Sequence, residues 1–140
     1  MPKNDTNCVG KEKMAAVKYV YAIQHNVTKR VYVGCTQNIE YRYLAHLIAL
    51  RGHRHKSKRM QEDFDKYGSD FTVIKLDEVK EDVVRINKRW YSAHTLKEIA
   101  WMMKFNSVET GYNNQDRVAK RTIAAHLVNF EDFIEKAVKV

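Results

Sequence analysis

Val17-Lys18-Tyr19-Val20-Tyr21-Ala22-Ile23-Gln24 and Arg30-Val31-Tyr32-Val33-Gly34-Cys35 are two runs of β-branched and aromatic residues on either side of a polar stretch, His25-Asn26-Val27-Thr28-Lys29. Such side chains suit a pleated, half-buried backbone, and two runs joined by a short turn predict a β-hairpin. Tyr19 and Tyr21 share a parity and therefore one face of the sheet. Tyr32 joins them there if the register of the hairpin allows it.

Helical texture follows the hairpin. Asn38 is a capping residue for a helix from Ile39 to Leu50, with Tyr43, His46, Leu47 and Leu50 at helical spacing and Gly52 as its stop. Ser57 caps a second helix ending near Tyr67, with Gly68 beyond it. Asp70 to Leu76 alternates as a third strand. Residues 81–105 hold no Gly or Pro and predict one long helix or two in succession. A loop around Gly111-Tyr112-Asn113 leads to a helical stretch from Arg117 to Lys139. The expected fold class is α+β, a small three-stranded, mainly antiparallel sheet flanked by helices in the order β-β-α-α-β-α-α. The expected organisation is a tail over 1–16, one domain over 17–115 and a helical extension over 116–140.

The chain has 140 residues, 25 Lys and Arg against 17 Asp and Glu, and a formal charge of +8. One core fits that length. The charge excess favours a polyanionic partner. No apolar run approaches a membrane span, and the first residues lack the apolar stretch of a secretory signal. The expectation is a soluble, cytoplasmic protein. Cys8 and Cys35 have no zinc-like spacing and read as reduced thiols.

Tyr19-Val20-Tyr21, ten intervening residues and Tyr32-Val33-Gly34 resemble the signature of the GIY-YIG nucleases. Arg42 stands where that family keeps an arginine on its first helix, with His46 one turn later. His55 and Ser57 fall where phage homing endonucleases of the family carry a His before the second helix. Phe64-x-x-Tyr67-Gly68-x-Asp70-Phe71, Glu98-x-x-Trp101 and Gly111-Tyr112-Asn113-Asn114 complete the order. Tyr19 departs from the name-giving glycine. The stretch before Glu98 is longer than in the phage enzymes.

The resemblance implies a Mg²⁺- or Mn²⁺-dependent DNA endonuclease, phage-encoded or acting in a bacterial cell. It makes Tyr21 the general base or the residue that orients the attacking water, supported by Tyr32. Arg42 would hold the scissile phosphate and stabilise charge on it. His46 and His55 are candidates for lowering the tyrosine's proton affinity. Glu98 would ligate the metal, and Asn113 would orient the metal site or brace the sheet edge.

Other readings of the same residues stay open. Thr95-Leu96-Lys97-Glu98 is a capping-box pattern, in which Glu98 binds a backbone N–H and no metal. His46 also reads as a satisfied helix histidine, and His55 as part of a solvated loop. Arg51, Arg54, Lys56, Lys58 and Arg59, with Lys88 and Arg89, are the expected DNA contacts, giving salt-sensitive, largely sequence-blind binding to double-stranded or branched DNA. Trp90 reads as core ahead of base stacking, and Trp101 as core with Ile99, Met102 and Phe105. A non-catalytic nucleic-acid-binding module, a protein adaptor and a homodimer are also compatible with the sequence.

Overall fold

The computed structural model describes residues 17–80, 82–86 and 88–114. The expected tail and C-terminal helical extension lie outside these residues. The elements are β1 (Lys18–His25), β2 (Val31–Thr36), α1 (Ile39–Arg51), α2 (Lys58–Tyr67), β3 (Phe71–Val79), β4 (Val83–Ile86), β5 (Arg89–Ser92) and α3 (Ala93–Phe105). The main sheet runs β2-β1-β3 and is antiparallel throughout, as expected.

Both faces of this sheet are covered, so Val20 to Ile23 are all buried. Val20, Ala22, Val31 and Val33 pack with Ala93, Leu96, Ile99 and Met102 of α3. Tyr21 and Ile23 pack with Leu50 of α1, Met60 of α2 and Tyr112. β3 serves both cores through a bulge. Its register against β1 shifts between Val20 and Tyr21, which pair with Asp77 and Lys75, leaving Leu76 as the extra residue. The odd positions Phe71 and Val73 therefore sit with α1 and α2, whereas Val79 sits with α3.

The two caps work as the sequence predicts. Asn38 Oδ1 accepts from the Tyr41 N–H at 3.0 Å, and Ser57 Oγ from the Met60 N–H at 3.2 Å. Gly52 and Gly68 follow the two helices.

The stretch 81–105 is a correction. It forms the hairpin β4–β5 before a single helix, with Val83 opposite Ser92 and Ile86 opposite Arg89. Lys88, between the two strands, takes a left-handed φ of 68°. Lys88 is not the glycine that usually occupies that conformation, so the turn goes unannounced in the sequence. The helix begins after Ser92, which makes no side-chain cap bond. Thr95 is therefore inside the helix, and the capping-box reading of Glu98 falls.

β2 is an edge strand, and Gly111-Tyr112-Asn113 covers its free side. The Tyr112 N–H donates to the Val31 carbonyl at 2.9 Å. Asn113 Oδ1 accepts from the Val33 N–H at 2.9 Å, and its Nδ2 donates to the Val33 carbonyl at 3.0 Å. A Cβ at Gly111 would fall against the Val31 carbonyl oxygen, so this close approach needs glycine. Of the two roles expected for Asn113, this geometry is that of the brace.

Candidate active site

Tyr21 lies opposite Gly34 and Tyr32 opposite Ile23, so both tyrosines share the α1 face. Their ring centroids are 6.3 Å apart. Gly34 is the clearance for Tyr21: a Cβ built there would be 2.6 Å from the Tyr21 hydroxyl oxygen. The phenol thus lies across β2 over Gly34.

A chain of hydrogen bonds ends on that phenol. The Ser57 N–H donates to His55 Nδ1 at 3.0 Å. That nitrogen is consequently unprotonated, and neutral His55 carries its hydrogen on Nε2. His55 Nε2 stands 2.7 Å from His46 Nδ1, so it donates there. His46 in turn carries its hydrogen on Nε2, 2.9 Å from the Tyr21 oxygen, and donates to it. One helix cap therefore sets two tautomers and leaves the Tyr21 oxygen an acceptor. Arg42, in the first turn of α1, acts on the same phenol through its positive charge.

Electrostatics keep this chain neutral. Burial, then His55, then Arg42 push His46 down to about 3. Burial and Arg42 also lower His55. Burial and the neighbouring Tyr32 raise Tyr21 above the ordinary tyrosine range, while Arg42 opposes them. Glu98 raises both Tyr21 and Cys35 through its charge, with burial the larger cause in each, and Cys35 is pushed up to about 11. The Glu98 charge is therefore felt by Tyr21 on one face of the sheet and Cys35 on the other, although α3 packs on only the Cys35 face.

Beside Tyr21 opens a cleft of about 460 Å³, lined among others by Tyr32, Arg42, His46, Arg54, His55 and Lys56. Three cations and no carboxylate line it, a setting for phosphate oxygens. Lys58 and Arg51 are exposed nearby in sequence. Arg59 differs from expectation: its guanidinium donates to the carbonyls of Glu109, Val108 and Asn113, at 2.9, 2.7 and 3.0 Å. It braces the loop that covers β2. Lys88 is exposed at the tip of the β4–β5 hairpin, and the Arg89 side chain lies outside the described residues. Trp90 is not core but 62% exposed, and Phe105 sits at the margin at 36%. Ile99 and Met102 are buried, with Trp101 packed against them.

Sequence reasoning missed two participants. Gly34 was legible only as part of a signature, not as space for a ring. The Ser57 N–H carried a signal as a helix cap, but its partner lies two residues back in the chain.

A hairpin whose tyrosines converge with a helix arginine on one face of a small sheet defines a class of protein. The family model for the GIY-YIG catalytic domain matches residues 17–113, and the chain belongs to that family. Among characterised proteins, it is 29% identical over 117 residues to intron-associated endonuclease 1 of enterobacteria phage T4. That alignment takes in 84% of this chain but 44% of the relative, so the chain spans less than half the relative's length. A solved structure of the catalytic domain of homing endonuclease I-TevI superposes with a TM-score of 0.59 at 26% identity, covering 71% of this chain and 99% of that one. A glutamate-to-alanine mutant of the same catalytic domain gives 0.60 at 27% identity, covering 71% and 95%.

Proposed function

We propose that the chain is a metal-dependent DNA endonuclease that hydrolyses phosphodiester bonds. The observation that carries this is the convergence on one phenol: His46 donates to the Tyr21 oxygen, the Arg42 charge acts on it, and both residues line a cleft with three cations. Family membership and the likeness to phage intron endonucleases support the same reaction class.

The residues divide the work as phosphodiester hydrolysis requires. Arg42, with Arg54 and Lys56 beyond it, grips phosphate oxygens and offsets the charge that builds on phosphorus. The His46 hydrogen bond and the Arg42 charge favour negative charge on the Tyr21 oxygen, against the burial that keeps it protonated in the free protein. Tyr21 orients the attacking water or takes its proton. His46 and His55 hold the phenol in place through their fixed tautomers.

Glu98 is the candidate ligand for Mg²⁺ or Mn²⁺. Among the described residues no cluster of three or more His, Cys, Asp or Glu could hold an ion. A single carboxylate completed by water and phosphate oxygens is nevertheless how Mg²⁺ is commonly held, so the donor set fits an ion that arrives with DNA. Such an ion would supply Lewis-acid stabilisation at the scissile phosphate.

The test is cleavage of linear, nicked and branched DNA with Mg²⁺ by wild type, Tyr21→Phe and Glu98→Ala. Each variant should lose on the order of a hundredfold or more in rate with unchanged circular dichroism and retained DNA retardation. A fully active Phe variant would reject the tyrosine's role. Unchanged cleavage by Glu98→Ala would remove the metal assignment.

A further inference from the structure

The hairpin β4–β5 has one face turned to the protein and one turned away. Tyr91 packs against the α3 core. Val83, Arg85, Trp90 and Ser92 alternate onto the opposite face, where Arg85 pairs with Trp90 and Val83 with Ser92. All four are exposed, Val83 at 51%. The Arg85 guanidinium carbon sits 5.6 Å from the Trp90 ring centroid. A large indole held in the open under a cation is unusual for a monomer surface, and no described residue covers it.

We propose that this outer face is a DNA-contacting ribbon that grips the duplex beside the scissile phosphate. The inference rests on the nuclease reading above. Three features support it. The first is charge: among Val83, Arg85, Trp90 and Ser92 this face carries the Arg85 cation and no carboxylate, and the exposed Lys88 stands at the tip. The second is shape: a two-stranded ribbon is the β element the major groove of B-DNA admits, and a Trp–Arg pair offers a stacking surface beside a phosphate donor.

The third is placement. The Ala93 N–H donates to the Asp82 carbonyl at 3.0 Å, which ties the base of the hairpin to the start of α3. Trp90 precedes Glu98 by eight residues. A strand rise of roughly 10 Å and a helix rise of roughly 7.5 Å put them within about 18 Å, or roughly five base-pair steps. The ribbon and the Glu98 site thus address the same turn of one duplex.

The experiment measures binding of the full chain to a mixed-sequence duplex of about three helical turns, without divalent metal. Trp90→Ala and Arg85→Ala should each weaken binding about tenfold with unchanged melting temperature, and Trp90→Phe should keep most of the affinity. In a Trp101→Phe background, Trp90 fluorescence should be open to acrylamide in the free protein and become shielded on DNA. Unchanged affinity in both alanine variants overturns the proposal. So does a Trp90 already shielded in the free chain, which would mean that the protein or a second copy covers it. Because no cleavage is read, a wild type that binds through Trp90 but never cuts removes the nuclease reading alone.

Discussion

At the scale of single residues, the site depends on what is missing at Gly34. The Tyr21 phenol occupies the space a side chain would take, with its hydroxyl oxygen 2.6 Å from an ideal Cβ. That contact is with a rigid ring, which cannot bend away as a lysine tip would. Gly34→Ala should therefore push Tyr21 off His46 and Arg42. The expected result is a drop in cleavage rate on the order of a hundredfold with DNA retardation and circular dichroism preserved. An alanine variant cutting at the wild-type rate would show that the ring position is not needed. The same scale explains the role of His46. It looks like a buried core histidine, at 4% exposure, and it is also the donor that orients the phenol, so the bland and functional readings of the sequence both describe it.

At the scale of elements, the critical joint is between α2 and the β1–β2 turn. Asp63 is buried on α2 and accepts hydrogen bonds from Thr28 at 2.8 Å, Arg30 at 3.1 Å and the Tyr112 hydroxyl at 2.5 Å. One carboxylate thus ties the helix, the hairpin turn and the loop that covers β2. Asp63→Ala strands these donors in a largely buried place. It should cost on the order of 3 kcal/mol, read as a fall in urea midpoint at constant m-value. A loss below about 0.5 kcal/mol would mean the joint is held by packing instead. The β4–β5 hairpin is the element the sequence hid. Val83, Val84, Ile86, Trp90 and Tyr91 are strand formers, but the turn between them carries Lys88 where glycine would have marked it.

At the scale of the whole molecule, pH should act on stability through buried neutral histidines. His46 is held at about 3 and His55 is lowered as well, mainly by burial, whereas an unfolded histidine titrates near ~6.5. Above that value both states are neutral and these groups contribute nothing to the pH dependence. As pH falls from about 6.5 toward 3, the unfolded chain takes up protons that the fold refuses, and stability drops. Each such group contributes about 1 kcal/mol per pH unit within its window. Melting temperature should fall between about pH 7 and pH 5, and His46→Asn should flatten that fall. An equal slope in the variant would show that His46 is not the group refusing the proton.

The framework is written in the residue order: the β1–β2 hairpin, the Asn38 and Ser57 caps, the glycine stops and the α+β class. Each of these is written locally, in residue types at fixed offsets, and the family resemblance drew on the same local order. Tyr21, Tyr32, Arg42, His46, His55 and Glu98 were named for the same reason. What they do to one another follows from how the chain packs. Packing brought the Ser57 N–H, His55, His46 and Tyr21 into one directed chain, because hydrogen-bond direction depends on which nitrogen faces which neighbour in space. Packing also turned Arg59 and Asn113 into braces for an edge strand that no linear pattern reveals, and left Trp90 outside, since whether an aromatic is covered depends on what folds over it.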